Sequence, residues 1–284
     1  MKKLLCLVLV SALFIAGCKT TIDPVPIDLQ ARDRGNYLTD RPQPKISKGN
    51  KRFLVLHYTA LNDEKSLRVL TGGEVSVHYL VPSIPRKERG RPVVIHLVPE
   101  NQEAWHAGVS FWRGAEKLNQ SSVGIEIVNT GYTDEADGTR KWYKYNDAQI
   151  ELLIPLIKDI VKRHNISPYN VVGHSDIATQ RKVDPGPLFP WAKLAQHGIG
   201  AWPNTSDVKK YLNGRYMKMP VDVLSVQKLL KQYGYQVPLS GELDSETKNV
   251  VKAFQMHFRP RDFSGVPDAE TEAILRALIS KYKL

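Results

Sequence analysis

Two of the eight histidines in this 284-residue sequence stand where a catalytic group is best held. His57 closes the apolar run Phe53-Leu54-Val55-Leu56, and His174 closes Asn170-Val171-Val172-Gly173. Strand ends combine rigid support with an open cleft, and Gly173 permits close approach of a second segment. A catalytic zinc ion takes about three protein ligands and leaves one position for water. Two imidazoles and a carboxylate suit that need. The two cysteines, Cys6 and Cys18, both fall near the start of the chain, so the third ligand must be an Asp or Glu. Two candidates follow His174. Asp176 is close enough to bond its own turn instead, whereas Asp184 is far enough for a loop to fold back, with Pro185-Gly186 fixing the turn. Spacing favours Asp184 only modestly and leaves both open. His164 and His197 fall near helix C-termini, where a cation is favourable for ordinary reasons, and His96 lies inside a strand.

A second kind of chemistry attaches to Glu126. It is the single charge in Gly124-Ile125-Glu126-Ile127-Val128. A carboxylate there must be paired, as in a salt bridge, or must face a polar site. Lys182, two residues before Asp184, reads on its own as a surface lysine, although its ammonium has the reach to meet a developing oxyanion. Trp105-His106-Ala107-Gly108 and Phe111-Trp112 offer aromatic faces for sugar or peptide, with a core cluster as the other reading of Trp112.

The elements that must position these groups read as a mixed α+β pattern. Strands are expected at Phe53–Leu56, Val75–Val81, Pro92–Val98, Val123–Val128 and Asn170–Val172. A helix is expected over Asn146–His164, with Asn146 as N-cap and Gln149 completing a capping box. Pro155 should kink it or mark a late start. A short helix is expected between Pro190 and Gly198. The expected fold is a mixed β-sheet covered by helices, followed by a small all-α three-helix domain.

That small domain contains an internal repeat. Gly241-Glu242-Leu243-Asp244-Ser245-Glu246-Thr247 is echoed by Gly265-Val266-Pro267-Asp268-Ala269-Glu270-Thr271, each Asp a helix cap and each Glu in a first turn. Val226, Leu229, Leu230 and Tyr233 form the apolar stripe of a preceding helix that Gly234 ends. This region, with Val226-Gln227-Lys228-Leu229-Leu230, Tyr233-Gly234-Tyr235 and Ala253-Phe254-Gln255, resembles the three-helix peptidoglycan-binding domain of cell-wall hydrolases.

At the other end, Lys2 and Lys3 precede the apolar stretch Leu4–Ala16, and Ile15-Ala16-Gly17-Cys18 resembles a bacterial lipobox. The implied organisation is a signal peptide over 1–17, lipid on Cys18 and a Pro-rich tether over 18–48. A catalytic domain follows over 49–203, then a connection over 204–220 and the small domain over 221–284. Lipid chains would anchor the protein to a membrane without spanning it. Lys19 after the cysteine goes, in such lipoproteins, with the outer membrane, on the periplasmic side in a Gram-negative bacterium.

Composition bounds the remaining classes. Charged residues at 24% and hydrophobic residues at 42% are ordinary for a globular chain and argue against extensive disorder. The net charge of +11 favours acidic partners. Its dispersal and the export signal argue against nucleic acid. A monomer is expected.

The central region carries a family resemblance. His57-Tyr58-Thr59, Val77-His78-Tyr79, Ala104-Trp105-His106-Ala107-Gly108, Ser122-Val123-Gly124-Ile125-Glu126 and Gly173-His174-Ser175-Asp176 with Lys182-Val183-Asp184-Pro185-Gly186 occur in that order over about 50–195. Together they resemble the zinc-dependent N-acetylmuramoyl-L-alanine amidases of the AmpD type (the amidase-2 family). The resemblance implies one Zn²⁺ held by His57, His174 and Asp184, with Glu126 and Lys182 as the catalytic pair. Tyr58, Trp105 and His106 would touch substrate. The implied reaction is hydrolysis of the amide between N-acetylmuramic acid, including 1,6-anhydro forms, and L-alanine in peptidoglycan and muropeptides, serving cell-wall turnover. The basic stretch 85–92 departs from the family, in which shorter turns are common. A non-catalytic peptidoglycan-recognition lipoprotein is the alternative, but receptors on such a scaffold typically lose a ligand and this chain keeps all three.

Overall fold

The structure is a computed structural model that describes residues 32–41 and 51–284. The expected signal peptide, the acylated Cys18 and most of the tether lie outside the described residues. The described part of that tether is docked: β1 (Leu38–Thr39) pairs in parallel with β5 (Arg91–His96), and buried Tyr37 donates its hydroxyl to Asp159 at 2.7 Å. Two paired residues give no period to read, so this edge strand was not visible in the sequence.

The central sheet runs β1, β5, β3 (Tyr79–Val81), β8 (Ser122–Ile127), β2 (Phe53–Tyr58), β11 (Val171–Gly173), with β4 (Lys87–Glu88) joining β5 as a short hairpin. Its centre, β3-β8-β2-β11, is parallel. Parallel strands are covered on both faces and therefore read as unbroken apolar runs. Phe53 to Leu56 fits that rule, being wholly buried. Of the strand expected over Val75–Val81, residues 75–78 lie outside β3. The basic stretch forms the β4–β5 turn, where Arg32 and Arg86 pair with Glu88. Two small hairpins complete the strands, β6–β7 (Phe111–Trp112, Ala115–Glu116) and β9–β10 (Tyr132–Asp134, Arg140–Trp142).

Helix α1 (Asp63–Thr71) follows β2. Helix α2 (Asp147–His164) starts on the Asn146/Gln149 capping box and covers one face of the sheet with Ile150, Leu153, Leu156, Ile157 and Ile160. Pro155 does not break it. The bond Pro155 cannot make belongs to the carbonyl of exposed Glu151, so the loss falls on the solvent side. The short helices α3 (His174–Ile177) and α4 (Trp191–Gln196) follow. The stretch expected as a connection holds α5 (Thr205–Leu212), which packs on the last helix.

Helices α6 (Val223–Tyr233), α7 (Ser245–Phe258) and α8 (Ala269–Tyr282) form the small lobe. Asp244 and Asp268 cap α7 and α8 by accepting from the Thr247 and Thr271 backbone N–H. The repeat runs deeper than its turns. Buried Gln227 and Gln255 each accept from the turn glycine, Gly241 or Gly265, and donate to Thr247 or Thr271. This lobe shares one apolar core with the outer face of the sheet: Phe53, Val55 and Trp112 pack with Leu230, Tyr233, Tyr235 and Phe254. Trp112 is thereby a core residue, its indole N–H donating to Tyr169 and its ring edge-on to Tyr235 at 4.8 Å.

Candidate metal centre and amidase cleft

The parallel pairing of β2 with β8 places His57 directly beside Glu126, and that of β2 with β11 brings the start of α3, hence His174, to the same sheet end. Asp184 returns on the following loop, where the Ser175 N–H donates to the Asp184 carbonyl at 2.8 Å. Gly173 makes this fold-back possible, since a Cβ there would come within 2.6 Å of Pro185. His57 Nδ1 and His174 Nδ1 are 2.9 Å apart, and Asp184 Oδ2 lies 3.2 and 3.1 Å from them.

These donors fit a metal. Ligands ~2.1 Å from a tetrahedral ion stand about 3.4 Å from one another, close to the spacings seen. The remaining ring nitrogens are engaged elsewhere, as metal-ligating imidazoles require. His57 Nε2 meets His106 Nδ1 at 2.9 Å, and His174 Nε2 meets the Ala107 carbonyl at 3.1 Å. Burial, then the neighbouring His174, pushes His57 down to about 4, so it is a neutral imidazole with a lone pair to give. Asp184 stays ionised well below the usual carboxylate range: burial opposes this, and the two histidines outweigh it. Of the two candidates, Asp184 joins the cluster. Asp176 instead accepts from Gly173 N–H at 2.7 Å, from Tyr235 hydroxyl at 2.5 Å and from His257 Nδ1 at 2.8 Å, binding the small lobe to the sheet end.

Above the cluster is a cleft of about 630 Å³ whose lining includes Tyr58, Trp105, His106, Glu126, Lys182 and Asp184. Glu126 Oε2 is buried and has no hydrogen-bond partner among the described residues. Burial, then the charge of Asp184, raises the Glu126 carboxyl well above its ordinary value, with Lys182 opposing. Tyr58 packs over Gly131, and burial raises its hydroxyl so that it stays protonated. Trp105 stands at the rim, 55% exposed. His106 reaches the cleft, but both its nitrogens are committed, Nδ1 to His57 and Nε2 to Ser122 at 3.1 Å. Its ring lies over Gly124, where a Cβ would come within 2.6 Å. The His106–His57 and Asp176–His257 partnerships escaped sequence reasoning. The former left a faint signal in Gly124, and the latter joins residues 81 apart with no local pattern.

The family model for N-acetylmuramoyl-L-alanine amidase matches residues 47–187, and that for a peptidoglycan binding domain matches residues 220–275. The N-acetylmuramoyl-L-alanine amidase AmiD of Escherichia coli K12 is 48% identical over 272 residues, 96% of each chain. The chain belongs to the N-acetylmuramoyl-L-alanine amidase family. Two solved relatives share the amidase fold across most of their length. The E. coli AmiD complex with anhydro-N-acetylmuramic acid-L-Ala-D-gamma-Glu-L-Lys superposes with a TM-score of 0.80 at 50% identity, covering 85% of this chain and 93% of that one. AmpDh3 from Pseudomonas aeruginosa gives 0.73 at 38% identity, covering 89% and 98%. This chain is an N-acetylmuramoyl-L-alanine amidase with a His-His-Asp group able to hold a metal ion.

Proposed function

We propose that the protein is a zinc-dependent lipoprotein amidase that cuts the bond between the lactyl group of N-acetylmuramic acid and L-alanine, in peptidoglycan and in muropeptides including 1,6-anhydro forms. The observation that carries this reading is the convergence of His57, His174 and Asp184 beneath the cleft lined by Glu126, whose Oε2 is unpartnered among the described residues. An N/N/O donor set suits zinc. Zinc, when bound, supplies Lewis acidity toward the scissile carbonyl and makes a water acidic enough to lose a proton near neutral pH.

The chain's own groups do the rest. Glu126 accepts the proton of the attacking water and passes it to the departing amine of L-alanine. Its raised proton affinity suits both halves of that transfer. Lys182 offers its ammonium to the oxygen of the tetrahedral intermediate, a contribution of about 3 kcal/mol in comparable sites. Trp105 provides an apolar face at the rim for sugar or peptide. The small lobe holds the wall polymer, and lipid on Cys18 tethers a monomer to the inner leaflet of the outer membrane.

Mass spectrometry of muropeptides digested with and without a chelator tests bond and metal together. The expected result is free stem peptide and peptide-free glycan, both lost on chelation and regained with zinc. Release of stem peptide that a chelator leaves untouched overturns the metal reading. Cleavage at any other bond overturns the substrate.

A further inference from the structure

A second groove of about 320 Å³ opens from the cleft, which it adjoins at Tyr132, Lys182 and Val183. One wall is the β9–β10 hairpin, carrying Arg140. The opposite wall is α7 of the small lobe, carrying Asn249 and Lys252. The floor is the 179–183 loop that leads into the metal ligand Asp184. Loop and helix are stitched together here: Asn249 Nδ2 donates to Gln180 Oε1 at 2.9 Å, and Gln180 Nε2 donates to the Glu246 carbonyl at 3.1 Å.

The groove is cationic and has no acidic residue in its lining. Lys252 is half-buried and has no carboxylate partner among the described residues. Both cations line this one groove, and burial and then the charge of Arg140 lower the proton affinity of Lys252. Arg140 is braced over the Tyr132 ring at 4.1 Å, and its one carboxylate partner among the described residues is the exposed Asp134, at 3.3 Å. Arg181 is not available, because its guanidinium is spent on the carbonyls of Ala107 and Val109. Holding like charges together in a partly desolvated groove is unfavourable until an anion arrives. An ammonium and a guanidinium fork together suit a carboxylate.

We propose that this groove is a carboxylate-reading subsite for the acidic peptide arm of the substrate, with Arg140 and Lys252 taking a free carboxylate beyond the scissile L-alanine. The assignment rests on the amidase reading above, together with the junction of groove and cleft beside Lys182. A γ-linked glutamate in that arm keeps its α-carboxylate free. Under this assignment α7 completes the substrate site in addition to holding the wall.

The test uses the full chain and two synthetic substrates, N-acetylmuramoyl-L-Ala-γ-D-Glu-L-Lys and its glutamate α-carboxamide. Arg140→Gln and Lys252→Gln keep an apolar stem and remove the charge. The wild type should prefer the acid in kcat/KM, and each variant should lose roughly tenfold of that preference, as expected for a charge-assisted hydrogen bond. Titration calorimetry of the free tripeptide should show Kd weakened by a similar factor, whether or not turnover occurs. Equal losses on both substrates, or an unchanged preference and Kd, overturn the subsite. A wild type that binds the tripeptide through these residues but releases none from the muramoyl substrates sinks the amidase reading and leaves the subsite standing.

Discussion

His57 and Glu126 are register partners on the adjacent parallel strands β2 and β8. Partners across a ladder point to the same face, so the His57 imidazole and the Glu126 carboxyl project from one side of the sheet, on strands ~4.8 Å apart. Sheet geometry, and no mobile loop, sets the placement of Glu126 relative to His57. This permits removal of the carboxylate without disturbing the ligands. Glu126→Gln should retain stoichiometric zinc by elemental analysis while kcat falls by about 10²–10⁴-fold, the usual worth of a general acid–base group. Near wild-type turnover in the zinc-loaded variant would remove Glu126 from the mechanism.

The same variant carries a stability signature in the metal-free protein. Glu126 has its proton affinity raised in the folded state, so the folded protein binds that proton more tightly than the unfolded chain. Its contribution favours folding at low pH and is lost as pH rises above the ordinary glutamate value of about 4.3. Metal-free Glu126→Gln should therefore melt higher than metal-free wild type at pH 7, and the gap should close below about pH 4. Melting scans across that range decide it. A gap that widens on acidification would contradict the buried, unpaired carboxylate.

Zinc should act as a stabilising ligand. Binding to the folded state alone at 100 times Kd adds about 2.7 kcal/mol. A zinc-dependent rise in Tm is expected in wild type, and Asp184→Ala should abolish it. An equal rise in both proteins would place the ion elsewhere.

His106 holds His57 by its second nitrogen, a role that metal sites value. His106→Ala should weaken zinc binding by about 10–100-fold. Gly124→Ala should act in the same direction by displacing the His106 ring. Competition with a fluorescent zinc chelator measures both. Unchanged affinity in both variants would return His106 to a purely substrate-facing role.

Asp176 satisfies a backbone N–H, a tyrosine hydroxyl and an imidazole at once, all buried. Asp176→Ala leaves those groups without an acceptor, and each orphan costs about 1–3 kcal/mol. A loss of at least ~3 kcal/mol in urea unfolding is expected. The small lobe and the sheet should still unfold in one transition, since they share a core. Two separated transitions in wild type would contradict that.

Much of the site was legible because its residues sit at element ends. His57 and His174 follow apolar runs that only buried strands produce, and Glu126 is a lone charge inside such a run. The choice between Asp176 and Asp184 was not legible from spacing. It depends on a loop closing through Gly173 and Pro185, and on Tyr235 and His257 claiming Asp176 from a distant part of the sequence. Strand β1 and helix α5 were missed for a related reason. Two paired residues carry no period, and α5 has no fully buried residue to mark a stripe. The capping box at Asn146 and the duplicated Asp caps were readable because their bonds are local.

The edge-on packing of Trp112 against Tyr233 and Tyr235, beneath the Asp176 cluster, has a mechanical outcome. A wall-gripping module on a loose linker would search a volume. Welded to the scaffold in this way, it would work as a fixed jig: under the proposed function, a strand clasped by the bundle would stand at a constant offset from the hydrolytic centre. Which amides are cut would then follow the spatial repeat of the polymer, and swinging of the enzyme would contribute little.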